Sequence, residues 1–89
     1  MQRNKRLSME ILACVEAEDM GTGVSAADIG LAVHGHRGAL TDIDEYHVKL
    51  LVDCGLLKVE EDDHFFTHSY HLTWSGHDLL DALRSEFST

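Results

Sequence analysis

Histidine is the residue type in this chain with the widest chemical repertoire, because imidazole can bind a metal or transfer a proton near neutral pH. The chain has seven, including a His34-x-His36 pair and a second set at His64, His68 and His71. Zinc sites combine such pairs with cysteine or carboxylate ligands at defined spacing. Here the first pair lies in a glycine-containing loop, and the second set alternates irregularly between the faces of predicted strands. We therefore predict no metal site and no cofactor.

The two cysteines are the candidate nucleophiles. Cys14 and Cys54 both fall in predicted helices beside apolar neighbours. This setting favours buried free thiols in a reducing cytoplasm over a Cys14–Cys54 disulfide. No Ser–His–acid arrangement can be recognised, and a chain this short offers little concave volume for a substrate. We predict no catalytic residue, and therefore a protein that is not an enzyme.

Charge is distributed unevenly along the chain. Lysine and arginine number 7 against 16 aspartates and glutamates, which gives a formal net charge of −9. Arg3, Lys5 and Arg6 precede every acidic residue, and the remaining basic residues are Arg37, Lys49, Lys58 and Arg84. Such a surface repels phosphate, so bulk charge will not drive binding to DNA or to an anionic membrane.

Length and composition indicate one small folded domain over residues 1–89. Hydrophobic residues make up 44% of the chain, which is ordinary for a globular protein. No stretch approaches the roughly 20 apolar residues that span a bilayer. The basic N-terminus lacks the apolar run and cleavage site of a signal peptide, so we expect a cytoplasmic protein.

The first half of the chain predicts three helices. Asn4 caps the first, which ends near Asp19 before Gly21. Ser25 opens the second, with Asp28 as an approximate capping box, and Gly35 ends it. The third starts at Thr41 or Asp42 and stops at Gly55. Its apolar residues recur at helical spacing and predict an inward face of Ile43, Tyr46, Leu50, Leu51 and Cys54.

After Gly55 the period changes from helix to strand. Apolar and polar residues alternate at Leu57–Glu60 and again at Tyr70–Thr73, with a polar turn at 61–64 between them, which predicts a β-hairpin. Thr73 caps a last helix. The predicted fold class is mainly α with a small hairpin, in the helix–helix–helix–hairpin–helix order of a winged helix-turn-helix. The expected core includes Leu51, Leu57, Leu72, Trp74, Leu79 and Leu83.

Two segments resemble a known family. Residues 46–57 carry Tyr-His, Leu-Leu and Gly-Leu in turn, and residues 72–84 carry Leu-Thr-Trp-x-Gly-His followed by Leu-Asp-Ala. This pattern is similar to that of short phage and prophage proteins labelled as a domain of unknown function. The outline also resembles winged-helix transcription regulators. The resemblance implies a winged-helix fold and a mobile-element origin, and it implies no catalytic residue.

DNA binding is the first functional hypothesis that this fold raises. Winged-helix proteins place the start of the third helix at base edges, supported by basic phosphate contacts. Here that region holds the acids Asp42, Asp44 and Glu45, followed by His47 and Lys49, and the wing tip is acidic over residues 60–63. Both surfaces that would meet DNA are therefore acidic, and binding to DNA is disfavoured but kept as the alternative.

A protein-interaction module is the competing hypothesis, and the one we favour. Phe65 and Phe66 are adjacent, so on a regular strand one ring faces away from the core. A partner could cover that ring, or a bulge could bring both rings to the edge of the core. An acidic mimic of DNA is a variant of the same idea.

The predicted partner-binding residues are therefore on the third helix and the wing: Asp42, Asp44, Glu45, His47, Lys49, Phe65 and Phe66. A homodimer through the wing or the terminal helices fits the same pattern. Because several histidines gain charge below about pH 7, mildly acidic buffer is expected to strengthen such a dimer.

Overall fold

The computed structural model describes residues 2–35, 40–62 and 67–88. Four helices and a two-stranded antiparallel hairpin follow one another in the predicted winged-helix order, which confirms the fold class. The elements are α1 (Lys5–Glu18), α2 (Ala26–His34), α3 (Asp42–Asp53), β1 (Leu57–Asp62), β2 (Thr67–Leu72) and α4 (Trp74–Phe87).

Each helix begins at a capping side chain that the sequence indicated. Asn4, Ser25, Thr41 and Thr73 each accept a hydrogen bond from a backbone amide of the first turn. These bonds satisfy donors that have no partner within the helix. The end of α3 was also predicted correctly, since Gly55 follows it with a φ of 75°, a left-handed conformation that glycine adopts without strain.

The hairpin pairs Leu57 with Leu72 at its base and Asp62 with Thr67 at its outer end. Val24, in the α1–α2 connection, forms an isolated bridge to Tyr70: the amide of each donates to the carbonyl of the other at 2.9 Å. This bridge could not be predicted, because a single paired residue has no alternation to detect. It connects the hairpin to the loop that precedes α2.

The core lies between α1, the inner faces of the other helices and the base of the hairpin. Three of the predicted core residues, Leu51, Leu57 and Leu83, are buried, and Leu72 and Leu79 are partly buried against the same cluster. The core is completed by residues that include Ile11, Leu12, Val15, Val24, Ile29, Val48 and Leu80.

Trp74 is not a core residue, and the prediction that it would be was wrong. Its side chain is 85% exposed. The inward face of α4 is formed by Gly76, Leu80 and Leu83. Successive helical residues are rotated by about 100°, so a residue two positions before Gly76 points away from the core.

The face of α3 that packs inward also differs from the predicted one. The buried residues of α3 are Asp44, His47, Val48 and Leu51. Ile43 and Cys54, both expected to face inward, are exposed. The observed inward face is shifted by about one residue along the chain from the predicted face. The prediction failed because it assumed apolar residues on the inward face, whereas two of the buried residues of α3, Asp44 and His47, are polar. Cys14 is buried as expected, and both thiols are free.

None of the four helices, over the residues that are described, combines the length and the apolar character needed to cross a bilayer.

Candidate functional site

The outward face of α3 carries three of the predicted partner-binding residues. Asp42, Glu45 and Lys49 are all exposed there. Lys49 Nζ lies 3.4 Å from Asp53 Oδ2, one helical turn later. The positive charge of this face is therefore compensated within α3 itself, while Asp42 and Glu45 leave it acidic.

Asp44 belongs to the interior and is not available to a partner, which corrects its place among the predicted binding residues. Its side chain is 2% exposed. Asp44 and Thr41 form a reciprocal capping box: the Thr41 amide donates to Oδ2 at 3.1 Å, and the Thr41 hydroxyl accepts from the Asp44 amide at 3.3 Å. His34 Nε2 lies 2.5 Å from the same Oδ2. The Asp44 side chain therefore connects the first turn of α3 to the end of α2.

These contacts also set the charge of Asp44. Burial acts to raise its pKa, but the hydrogen bonds from His34 and Thr41 outweigh burial and hold the pKa below the ordinary aspartate value. The carboxylate is therefore ionised at neutral pH, inside the protein and beside a histidine.

His47 is also internal, and its assignment to a partner surface is corrected for the same reason. It is 1% exposed. The backbone amide of Asn4 donates to its Nε2 at 2.8 Å, and its Nδ1 lies 2.7 Å from the carbonyl of Ile43. Since a backbone N–H can only donate, the ring carries its proton on Nδ1. His47 therefore ties the start of α1 to α3, consistent with a structural role.

The hairpin provides the second part of the surface. Glu60, Glu61 and Asp62 are exposed along β1. Lys58 Nζ lies 3.6 Å from Glu60 Oε1, so the basic residue of this strand is also paired with an acid. Phe65, Phe66 and the acidic Asp63 lie outside the described residues.

A cleft of about 410 Å³ separates α3 from the hairpin. Its polar lining includes Glu45 and Lys49 from α3 and Glu61, His68 and Tyr70 from the strands. His68 Nδ1 lies 3.7 Å from Glu61 Oε1. Burial, and then the charge of Glu45, raises the pKa of Tyr70. The polar groups of the cleft are therefore two carboxylates, an imidazole, a phenol and one paired ammonium, beside aliphatic side chains that include Val48, Val52 and Val59.

The basic N-terminal residues lie on a different part of the molecule. Lys5 Nζ is 3.2 Å from Glu86 Oε1 at the end of α4. Arg6 Nε is 4.0 Å from Glu10 Oε1, and its guanidinium lies 5.6 Å from the centre of the Phe87 ring. Neither side chain lines the cleft between α3 and the hairpin, so these basic residues do not change the charge of that cleft.

One polar cluster around His71 was not predicted from the sequence. Asp19 Oδ2 lies 2.9 Å from His71 Nδ1, and the opposite ring nitrogen is 3.5 Å from Glu60 Oε2. Asp19 Oδ1 accepts from the amides of Gly21 and Gly23, and those bonds are the main reason that the pKa of Asp19 is lowered. The aspartate two residues before a glycine was a detectable turn signal. Its histidine partner, 52 residues later, was not detectable.

The histidine pattern does not produce a metal centre in the part of the chain that is described. Across 2–35, 40–62 and 67–88, no three histidine, cysteine or carboxylate side chains are grouped closely enough to hold a metal ion. His36 and His64, members of the two candidate sets, lie outside those ranges. His77 is exposed on α4, with Nδ1 3.4 Å from Glu16 Oε2.

Comparison with known families identifies the chain. Residues 2–87 match the family described as Hypothetical protein (DUF2513). The chain belongs to this family. An uncharacterized protein of Haemophilus influenzae (strain ATCC 51907 / DSM 11121 / KW20 / Rd) is 32% identical to it over 89 residues, which are 97% of this chain and 70% of that protein.

Two solved structures share the fold of this DUF2513 member. A MarR-family transcriptional regulator from Silicibacter pomeroyi superposes with a TM-score of 0.71 at 23% identity, covering 89% of this chain. This chain spans about half of that regulator, 49% of its length. Sso10a-2, a DNA-binding protein from Sulfolobus solfataricus, superposes with a TM-score of 0.74 at 14% identity, covering 96% of this chain and 78% of the other. At these identities the likeness shows the winged-helix fold.

Proposed function

We propose that this DUF2513 member is a winged-helix protein-interaction module with a regulatory or accessory role. Its docking surface is the acidic face formed by α3 and β1, with Asp42, Glu45, Glu60, Glu61 and Asp62 as its acids. The complementary partner surface is a basic region of another protein. Residues 1–89 act as one domain in this proposal, without catalytic activity.

The observation that carries the proposal is the state of the two lysines on this surface. Lys49 is paired with Asp53, and Lys58 is paired with Glu60. Binding DNA through α3 and the hairpin requires basic side chains that can replace the counterions of phosphate. Here a phosphate would have to compete with carboxylates for both lysines, and it would also approach Asp42 and Glu45. A basic protein surface does not need to displace the carboxylates from the two lysines, and it is not repelled by Asp42 and Glu45.

DNA binding through the same fold is the second candidate function. It is supported by the two structural neighbours, one described as a transcriptional regulator and the other as a DNA-binding protein. The basic residues Arg3, Lys5 and Arg6, which lie outside the cleft, also support this candidate. This candidate requires a binding geometry in which the N-terminus of α1 contacts phosphate.

Fluorescence anisotropy with random duplex DNA separates the two functions. The protein-interaction proposal expects no change in anisotropy at low salt up to high micromolar protein. DNA binding expects a rise in anisotropy that weakens steeply as salt is added. A steep salt dependence would overturn the proposal.

Affinity capture from host lysate then tests the docking surface. The double variant Asp42→Asn/Glu45→Gln removes two negative charges from α3. The matched control, Asp78→Asn/Asp81→Asn, removes two negative charges from exposed positions of α4. A partner that docks on α3 is retained by the control and lost by the α3 variant. Loss by both variants, or by neither, would contradict the proposed surface.

Phe65 and Phe66, which follow β1 in the sequence, supply apolar contacts to a partner or to a second copy in a homodimer. The protein works in the cytoplasm, and the resemblance to phage and prophage proteins supports a mobile-element origin.

Sedimentation between about pH 7.5 and pH 6 tests the homodimer, because histidine protonation reduces the negative charge that opposes association. An unchanged monomer fraction would contradict it.

A further inference from the structure

An apolar groove runs between α3 and α4 on the side of the domain away from the hairpin cleft. Its volume is about 280 Å³. Leucines from three elements supply its walls: Leu50 and Leu51 from α3, Leu56 from the turn before β1, and Leu79 and Leu83 from α4. The groove is close to the lower end of the size range of small-molecule pockets, and its lining is predominantly apolar like theirs.

Three charged side chains contribute to the groove. Arg3, Lys5 and Glu86 contribute to its lining, and all three are exposed, so they lie where the groove meets solvent. Lys5 and Glu86 pair with each other at 3.2 Å. Among the residues that the structure describes, no carboxylate pairs with Arg3.

Arg3 is unusual in this respect among the basic residues in 2–35, 40–62 and 67–88. Every other lysine and arginine in those ranges forms an ion pair with a carboxylate. In a chain with 16 acids, the unpaired guanidinium lies at the mouth of an apolar groove. Guanidinium groups bind carboxylates through two parallel hydrogen bonds, which an ammonium group does not provide.

We propose that this groove binds a small amphiphile with an apolar chain and a carboxylate head, such as a medium-chain fatty acid. The carboxylate pairs with Arg3, and the chain lies between Leu50 and Leu79. The lining of α4 from Leu79 to Glu86 extends over about 10 Å. An acyl chain of about eight to ten carbons matches that length.

The size of the groove argues against a second copy as the occupant. A stable dimer buries about 800 Å² on each partner. A groove about 10 Å long provides only a small part of that area. The charge at its mouth also selects for an anionic head group, which an apolar contact between two copies does not need.

The groove and the acidic docking surface use different sides of α3, so this inference goes beyond the proposed function. Leu50 and Cys54 line the groove, whereas Glu45 and Lys49 line the hairpin cleft. The two proposals can therefore fail independently: loss of ligand binding in the groove says nothing about the docking surface, because Arg3 lies outside that surface.

Cys54 gives the experiment its readout. It is an exposed free thiol in the wall of the groove, whereas Cys14 is buried. Burial, with the nearby charges of Glu18 and Asp28, raises the pKa of Cys14 to about 11, so this thiol is unreactive at neutral pH. The rate of alkylation by iodoacetamide therefore reports the accessibility of Cys54. An occupied groove slows the reaction.

The ligands are decanoate, decanol and decylamine, which share a chain and differ in the head group. Decanoate is expected to slow alkylation of Cys54 in a saturable way, decanol more weakly and decylamine least. Arg3→Gln is expected to weaken the effect of decanoate roughly three- to tenfold. The control Arg6→Gln removes a neighbouring positive charge that does not line the groove, and it is expected to leave the effect unchanged.

Three outcomes would overturn the proposal. Equal protection by all three ligands, or an equal loss in both arginine variants, shows a groove without selection for a carboxylate. Protection of Cys54 that grows with protein concentration in the absence of ligand, together with faster sedimentation, shows that a second copy occupies the groove. Ala82→Phe fills the groove from an exposed position and is expected to abolish the protection by decanoate while the protein remains folded.

Discussion

His34 Nε2 and Asp44 Oδ2 lie 2.5 Å apart, and this contact joins the last residue of α2 to the capping box of α3. The two helices form the helix-turn-helix unit of the fold. Their relative position is therefore fixed at this end by a buried carboxylate that also caps the second helix. Asp44 was expected to face a partner, and it instead holds in place the helix that carries the proposed docking surface.

Removing this carboxylate is expected to destabilise the domain. Asp44→Ala loses the hydrogen bond to the Thr41 amide and the contact with His34, at a cost of about 1–3 kcal/mol in the free energy of unfolding. Asp42→Ala, at the exposed first position of the same helix, is the control and is expected to cost well under 1 kcal/mol. Urea denaturation followed by circular dichroism measures both. Equal costs for the two variants would contradict the role of Asp44.

Acid is expected to unfold the protein in part through Asp19 and Asp44. Their folded-state pKa values are lowered, Asp19 mainly by the Gly21 and Gly23 amides and Asp44 by His34 and Thr41 against the effect of burial. A lowered pKa gives stability that is complete above the unfolded value of about 3.9 and is lost as pH falls through the folded value.

Asp19→Asn tests this expectation. The variant is expected to be less stable than the wild type near pH 6. The difference in unfolding free energy is expected to shrink as pH falls through the lowered folded-state pKa of Asp19, because the wild-type carboxylate then becomes neutral as well. Asp78→Asn, at an exposed position of α4, supplies the control. A difference that stays constant with pH would show that ionisation of Asp19 does not contribute.

Gly76 is expected to tolerate no side chain. A Cβ at this position would collide with the backbone carbonyl oxygen of Leu56 and would lie 2.7 Å from Leu72 Cδ1. On an exposed helix, alanine is favoured over glycine by about 1 kcal/mol. Here we expect the opposite sign, with Gly76→Ala destabilising by about 1–3 kcal/mol because α4 must move away from the base of the hairpin. Ser75→Ala is the neighbouring control, and thermal denaturation distinguishes the two. A stabilised Gly76→Ala protein would show that α4 packs differently.

Trp74 is expected to contribute little to folding despite its size. Trp74→Ala should change the free energy of unfolding by no more than about 0.5 kcal/mol, as is usual for an exposed side chain. Leu80→Ala removes a fully buried side chain and should cost about 2–5 kcal/mol. Because the variant lacks the tryptophan, far-ultraviolet circular dichroism is the appropriate measurement. A cost for Trp74→Ala near that of Leu80→Ala would place the indole in the core.

The order of the elements and the start of each helix could be predicted because their signals are local. Asn4, Ser25, Thr41 and Thr73 cap helices through amides three residues away, and capping preferences detect that spacing. The exposed acids Asp42 and Glu45, which the proposed docking surface uses, could be placed on α3 for the same reason, because they lie in the first turn of a predicted helix.

The inward face of α3 could not be predicted in this way. Periodicity places apolar residues inside, but here the buried positions include Asp44 and His47. These polar side chains can be buried because each has a hydrogen-bond partner elsewhere in the chain. Asp44 contacts His34, and His47 accepts from the backbone amide of Asn4. The latter contact spans 43 residues, which lies beyond any pattern in a single helix. The pairing of Asp19 with His71 was missed for the same physical reason.

The base of the hairpin has a consequence for how the family can vary. The Thr73 hydroxyl caps α4 and also donates to the carbonyl of Gly55 at 2.6 Å, while Leu57 pairs with Leu72 beside it. The start of β1, the end of β2 and the start of α4 are therefore joined at one place, and the Val24–Tyr70 bridge attaches the middle of β2 to the helical body. Because the register is set at this base, we expect that strands of other lengths can be built on it while α3 and α4 keep their places.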